Sequence, residues 1–144
     1  MFQQPIVIAT NQIFNYVIKA SKHVLLDGTF SHFDYAYQNV SKSLKKGRSV
    51  IIMYTYVDPY LAWKFTQARE VKEGRRITKA VFIETLFGSY DTVQRIQATF
   101  GNKVEVYVLI RDYSKGEKQS FYDADSIDKY VKIPYSREEL EKKL

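Results

Sequence analysis

A chain of 144 residues, 45% of them hydrophobic, is long enough for one domain with a buried core. It has no cysteine, which excludes disulfides and cysteine-held zinc, and with only His23 and His32 to offer imidazole a structural metal site is not expected. The net charge of +6 suits phosphorylated small molecules, nucleic acid or an anionic membrane surface alike; no apolar run is long enough to span a membrane and no secretory signal opens the chain, so the expected location is cytoplasmic.

Near the start, Ile6-Val7-Ile8 after Pro5 reads as extended, and Thr10 or Asn11 can cap a helix that carries Ile13, Phe14, Val17 and Ile18 at helical spacing. Val24-Leu25-Leu26-Asp27-Gly28-Thr29-Phe30 follows, an apolar run ending in an acid, a glycine and a hydroxyl. Such a run predicts a strand buried on both faces, and in parallel α/β sheets ligands gather beyond the carboxyl ends of strands. Asp27 and Thr29 are therefore candidate site residues, although a capped strand-to-helix turn is the commoner meaning of three such residues alone.

Ser31 and Asp34 have capping-box spacing, and Phe33, Tyr37, Val40 and Leu44 mark one face of a helix that Gly47 closes. Residues 49–57, Ser-Val-Ile-Ile-Met-Tyr-Thr-Tyr-Val, form the strongest strand signal and are expected inside the sheet, joined to the 24–30 strand by a parallel crossover. Asp58-Pro59 supplies a cap and a first-turn proline for a helix with Leu61, Ala62, Phe65 and Ala68 on its apolar face. It runs into Arg69-Glu70-Val71-Lys72-Glu73-Gly74-Arg75-Arg76, where Gly74 can interrupt the helix.

From Ile77 to Phe100 a second helical pattern places Val81, Leu86, Tyr90, Val93 and Ile96 inside, with a kink expected at Gly88-Ser89. Residues 104–110 predict another strand, residues 119–122 a short edge strand after the turn Ser114-Lys115-Gly116, and Ser136 to Glu139 a capping box opening a charged terminal helix over 136–144. The predicted fold is α/β in one domain: a partial doubly wound parallel sheet, three main strands plus the edge strand, flanked by helices.

On such a sheet Asp27, Thr29 and the Asp58-Pro59 helix start share one edge, with the arginine segment able to fold over it. A carboxylate can orient or deprotonate a hydroxyl, threonine can hydrogen-bond a substrate, and arginines grip phosphate oxygens. That combination suits phosphoryl transfer; a solvated helix end accounts for Arg69, Arg75 and Arg76 as readily. Aromatic residues reach 15%, yet they fall at core spacing, and no RNA-recognition signature accompanies them.

Read together, Val-Leu-Leu-Asp-Gly-Thr-Phe, Val-Ile-Ile-Met-Tyr-Thr-Tyr-Val-Asp-Pro, Ala-Arg-Glu and Glu-Gly-Arg-Arg-Ile-Thr resemble the zeta toxin family over about residues 10 to 112. The resemblance implies a P-loop-kinase-like core that moves the γ-phosphoryl of ATP to a hydroxyl, with UDP-N-acetylglucosamine the acceptor of the bacterial toxins. It puts Asp27 at the acidic substrate-binding position, Thr29 at the hydroxyl that contacts the sugar nucleotide, and Ser31 where a basic residue can stand. Arg69 takes the first phosphate-binding position and Arg75 the second, with Arg76 the alternative if the register slips by one.

No stretch reads Gly-x-x-x-x-Gly-Lys-Ser/Thr, and Lys45-Lys46-Gly47-Arg48 sits at a helix end rather than between strand and helix. The chain thus resembles the C-terminal part of such a kinase, either one piece of a longer or split enzyme or a stand-alone protein that binds without turnover. No cofactor is required by these residues; ATP and magnesium are expected only of a complete family kinase. The expected partners are a sugar nucleotide and a second copy of the chain, paired through an exposed sheet edge. A non-enzymatic basic protein binding nucleic acid or a protein partner is the alternative.

Overall fold

A computed structural model describes residues 3–113, 116–121 and 124–144. Helices α1 (Gln3–Lys19) and α2 (Phe33–Lys45) precede strand β1 (Ile51–Val57); α3 (Pro59–Glu73) and α4 (Lys79–Phe100) cross over to β2 (Glu105–Asp112), which is followed by β3 (Glu117–Phe121) and α5 (Arg137–Lys143). The sheet order is β1-β2-β3. β1 and β2 pair in parallel from Ile51 opposite Glu105 to Val57 opposite Arg111, and β3 pairs antiparallel with β2. This is a mixed α/β, P-loop-kinase-like arrangement of a sheet flanked by helices.

One face of the sheet makes the core. Alternation along β1 and β2 turns Ile52, Tyr54, Val106 and Val108 to the same side, where Ala36 and Val40 of α2 and Val93 and Ile96 of α4 cover them. Val93 and Ile96 are wholly buried. The chain after β3 closes the rim with Ala124, Ile127 and Val131. On the opposite face Ile51 and Met53 stay open to solvent, at 51% and 72% exposure.

Local signals set most helix ends. Asp58 Oδ1 accepts from the amides of Tyr60 and Leu61 at 3.0 and 3.3 Å, and Pro59 occupies the first turn of α3. Gly74, at φ 68°, ends that helix in the left-handed region that other residues enter only with strain. The Ser136 hydroxyl accepts from the Glu139 amide at 3.2 Å while the Glu139 carboxylate accepts from the Ser136 amide at 2.8 Å, the reciprocal box expected from the sequence.

Several expectations give way. Residues 24–30 form no strand: Leu25 is 83% exposed, and the parallel crossover instead joins β1 to β2 through α3 and α4. β1 is consequently an end strand and β2 the central one. Ile6-Val7-Ile8 is helical, because α1 already begins at Gln3. The Ser31/Asp34 capping box does not form; α2 starts at Phe33 with His32 as a cap whose side chain makes no capping hydrogen bond. In α4 Val81, expected inside, faces outward. Ser114, Lys115 and Tyr122 lie outside the described residues.

Candidate functional site

The loop that carries Asp27 and Thr29 reaches α4 at Ser31, and the reason is Gly88. A Cβ at that position would come within 2.9 Å of the Ser31 carbonyl oxygen, so only glycine lets the loop backbone rest on the helix. Phe30 is held at φ 55°, a sparsely populated conformation for a bulky residue, with its ring packed against the core. Beyond it the Thr29 and Ser31 hydroxyls are 2.9 Å apart and hydrogen-bonded. Asp27 is exposed and has no hydrogen-bond or ion-pair partner among the described residues. Gly28 serves a different purpose from Gly88, since a Cβ there would meet open space.

The arginines collect at the other end of α3. Glu73 lies 3.7 Å from the Nε of both Arg69 and Arg75, and Glu70 lies 3.6 Å from the Nε of Arg76. Because Gly74 turns the chain back, Arg69 before it and Arg75 after it share the Glu73 carboxylate, and Arg76 returns to Glu70. All three guanidinium groups remain more than half exposed, and exposed pairs of this type contribute about 0–1 kcal/mol. These arginines can therefore leave their carboxylates for a phosphate with little loss of stability. The structure thus brings Thr29 and Ser31 together and groups Arg69, Arg75 and Arg76; no hydrogen bond or ion pair joins the two sets among the described residues.

The carboxyl end of β1 leads into an aromatic cluster around Asp58. Its Oδ2 accepts from the Tyr135 hydroxyl at 3.2 Å, and the rings of Tyr135 and Tyr60 meet edge to face at 5.0 Å. Burial, then the neighbouring Asp58 charge, pushes the Tyr56 phenol up to about 12. Burial also raises the Tyr135 phenol, with Asp58 adding to the effect. Asp58 is fully engaged as a helix cap and an anchor for Tyr135, a structural assignment.

Sequence reasoning missed the cleft that Ser31 opens into. It measures about 450 Å³ and is bounded by Phe33 together with Glu84, Asp91 and Arg95 of α4 and Arg137 of α5. Arg95 stacks 3.6 Å above the Phe33 ring and lies 3.6 Å from Asp91; Arg137 sits 4.7 Å over Phe87 and donates to Glu84 at 3.0 Å. The signal was present as Glu84, Gly88, Asp91 and Arg95, spaced three and four apart along one helix face.

No group of three or more His, Cys, Asp or Glu side chains is placed to hold a metal ion among the described residues, and the sequence contains no Walker-type loop. What these residues do present is three exposed arginines beside Glu70 and Glu73 and a pair of hydrogen-bonded hydroxyls. No helix among the described residues is long and apolar enough to cross a membrane. No curated protein matches the chain. A family model described as Zeta toxin matches residues 1–127 of the 144. With its α/β sheet, its Asp-Gly-Thr loop and its arginine-bearing turn all inside that match, the chain belongs to the zeta toxin family.

Proposed function

We propose that this chain forms the acceptor-binding side of a zeta-toxin-type phosphotransferase, taking a sugar nucleotide such as UDP-N-acetylglucosamine or another small phosphate-bearing molecule with a free hydroxyl. The family match over residues 1–127 is the observation that carries this reading. Asp27 orients the acceptor hydroxyl, the Thr29–Ser31 hydroxyl pair hydrogen-bonds the sugar, and Arg69 and Arg75 bind the phosphates, with Arg76 beside them. The weak hold of Glu70 and Glu73 on those arginines supports the last assignment. Phosphoryl transfer itself calls for a nucleotide-cradling loop that these residues do not contain, so the chain alone binds acceptor without ordinary kinase turnover. Self-association through the open edge of β1 belongs to the same proposal.

Calorimetric titration with UDP-N-acetylglucosamine tests the assignment. Saturable binding is expected, weakened about tenfold or more by Asp27→Ala and by Arg75→Ala, since each removes a charge-assisted contact. A folded chain that ignores the sugar nucleotide, or binds it equally well after both substitutions, would overturn the reading. Formation of a phosphorylated sugar nucleotide on adding ATP and magnesium to the purified chain would overturn the absence of turnover.

A further inference from the structure

The opposite end of the sheet holds a second cleft, about 660 Å³ in volume, beside the amino ends of β1 and β2. Three separate pieces of chain bring cations to it: Lys45 from the last turn of α2, Arg48 from the connection to β1, and Lys103 from the 3-10 turn before β2. Glu105 is the one carboxylate in its lining, and it accepts a hydrogen bond from the Tyr107 hydroxyl at 3.0 Å. Three positive charges against one negative leave the cleft cationic.

These cations differ from five of the six other arginines; the sixth, Arg111, lies over the Tyr113 ring. Arg69, Arg75, Arg76, Arg95 and Arg137 all stand beside carboxylates, whereas none of Lys45, Arg48 and Lys103 is in an ion pair among the described residues. Arg48 gives Nη2 to the Val17 carbonyl at 3.4 Å, a long contact that fixes the side chain and leaves most of its five donors open. Residues 41–50 contain four cations and no acid, so the surrounding surface reinforces the field.

Helix α2 ends here, and the partial negative charge of a helix end would oppose an anion. That effect is answered locally: the Ser43 carbonyl accepts from the amides of Lys46 and Arg48, and the Leu44 carbonyl accepts from Gly47. The floor adds specificity. Phe100 contributes a half-buried ring, and Ser49 a hydroxyl, beside the cationic rim. A volume of this order suits a small ligand.

We infer that this cleft is a phosphate-binding site separate from the acceptor site, built for a nucleotide-sized phosphate ester whose phosphates meet Lys45, Arg48 and Lys103 and whose apolar part lies on Phe100. Its distance from the carboxyl ends of the strands makes it a regulatory or second-substrate position. The half-buried Phe100 ring beside the three cations offers a compact phosphate ester an apolar surface that a bare phosphate backbone does not use.

Titration of the purified chain with pyrophosphate and with ADP, at fixed ionic strength, tests this. Both are expected to saturate a site that Lys45→Ala and Lys103→Ala weaken about tenfold each, these being exposed side chains whose loss leaves the fold intact. Arg48→Ala is expected to weaken binding further, and Lys118→Ala, on exposed β3, to leave it unchanged. ADP is expected to bind more tightly than pyrophosphate, an advantage that Phe100→Leu removes. The inference is overturned if neither probe saturates at millimolar concentration, or if Lys45→Ala and Lys103→Ala leave binding intact. Binding confined to long nucleic acid, with a steep salt dependence, would equally overturn it and mark the patch as a backbone-binding surface.

Discussion

The two helices of the β1-to-β2 crossover differ in how completely they are used. α4 sends Ile83, Thr92, Val93 and Ile96 into the interior, while Pro59 is the one fully buried residue of α3. α3 is tied down by rings: Trp63 against Phe82 at 5.2 Å and Phe65 against Tyr113 at 5.2 Å. Even there the buried Trp63 indole N–H has no acceptor among the described residues, an omission that typically costs about 1–3 kcal/mol. The stable helix holds the Gly88 seat for the Thr29–Ser31 loop, and the loosely packed one ends in the arginines.

Truncation on each helix is the sharpest way to break the comparison. Ile96→Ala, at a wholly buried position, is expected to cost about 2–5 kcal/mol in urea unfolding. Val71→Ala, at 90% exposure on α3, is expected to leave stability unchanged or raise it by about 0.5 kcal/mol through helix propensity. Equal losses at the two positions would mean that α3 is packed as firmly as α4.

Alkaline unfolding sharpens the same contrast. Burial pushes the Tyr54 phenol up to about 12, the Ser89 hydrogen bond opposing the shift and Tyr90 adding to it. The folded state therefore holds a proton that the unfolded chain releases from about pH 10. Stability from this group is complete below pH 10 and is lost as pH rises through 12, at about 1.4 kcal/mol per pH unit. Tyr54→Phe should flatten that part of the stability profile. An unchanged slope would show that Tyr54 is not the group responsible.

Much of the fold was legible because its signals are local. Asp58-Pro59, Gly74 and the Ser136 box each act within a turn of their own residues, and β1 and β2 announce themselves by β-branched and aromatic runs. Val24-Leu25-Leu26 has the same apolar character but no partner strand among the described residues, and a strand exists only through pairing. The cap of α2 moved because His32, not Ser31, precedes its first turn; Ser31 instead meets Gly88, 57 residues further along the chain, which nothing in the Ser31/Asp34 spacing signals. Of the candidate site, Arg69, Arg75 and Arg76 stand within eight residues about Gly74, so their grouping on Glu70 and Glu73 is a local matter. The cleft beside Ser31 is not, because Arg95 and Arg137 reach it from α4 and α5.

The smallest expected change in stability concerns the face of β1 that the core does not use. Ile51 and Met53 project from it, and β1 has no neighbour on its outer edge among the described residues. Unpaired backbone groups beside exposed apolar side chains favour pairing with another copy of the chain, and a lysine on that face opposes it by burying a charge in the contact. Sedimentation is expected to show concentration-dependent association of the unsubstituted chain and a monomer for Met53→Lys, with unfolding stability altered by less than about 0.5 kcal/mol. An unsubstituted chain that stays monomeric across the range would remove the association. Should the variant instead associate as strongly, the contact lies elsewhere, and the exposed apolar residues of α1, Ile6 and Ile13 among them, are where the same substitution should be made next.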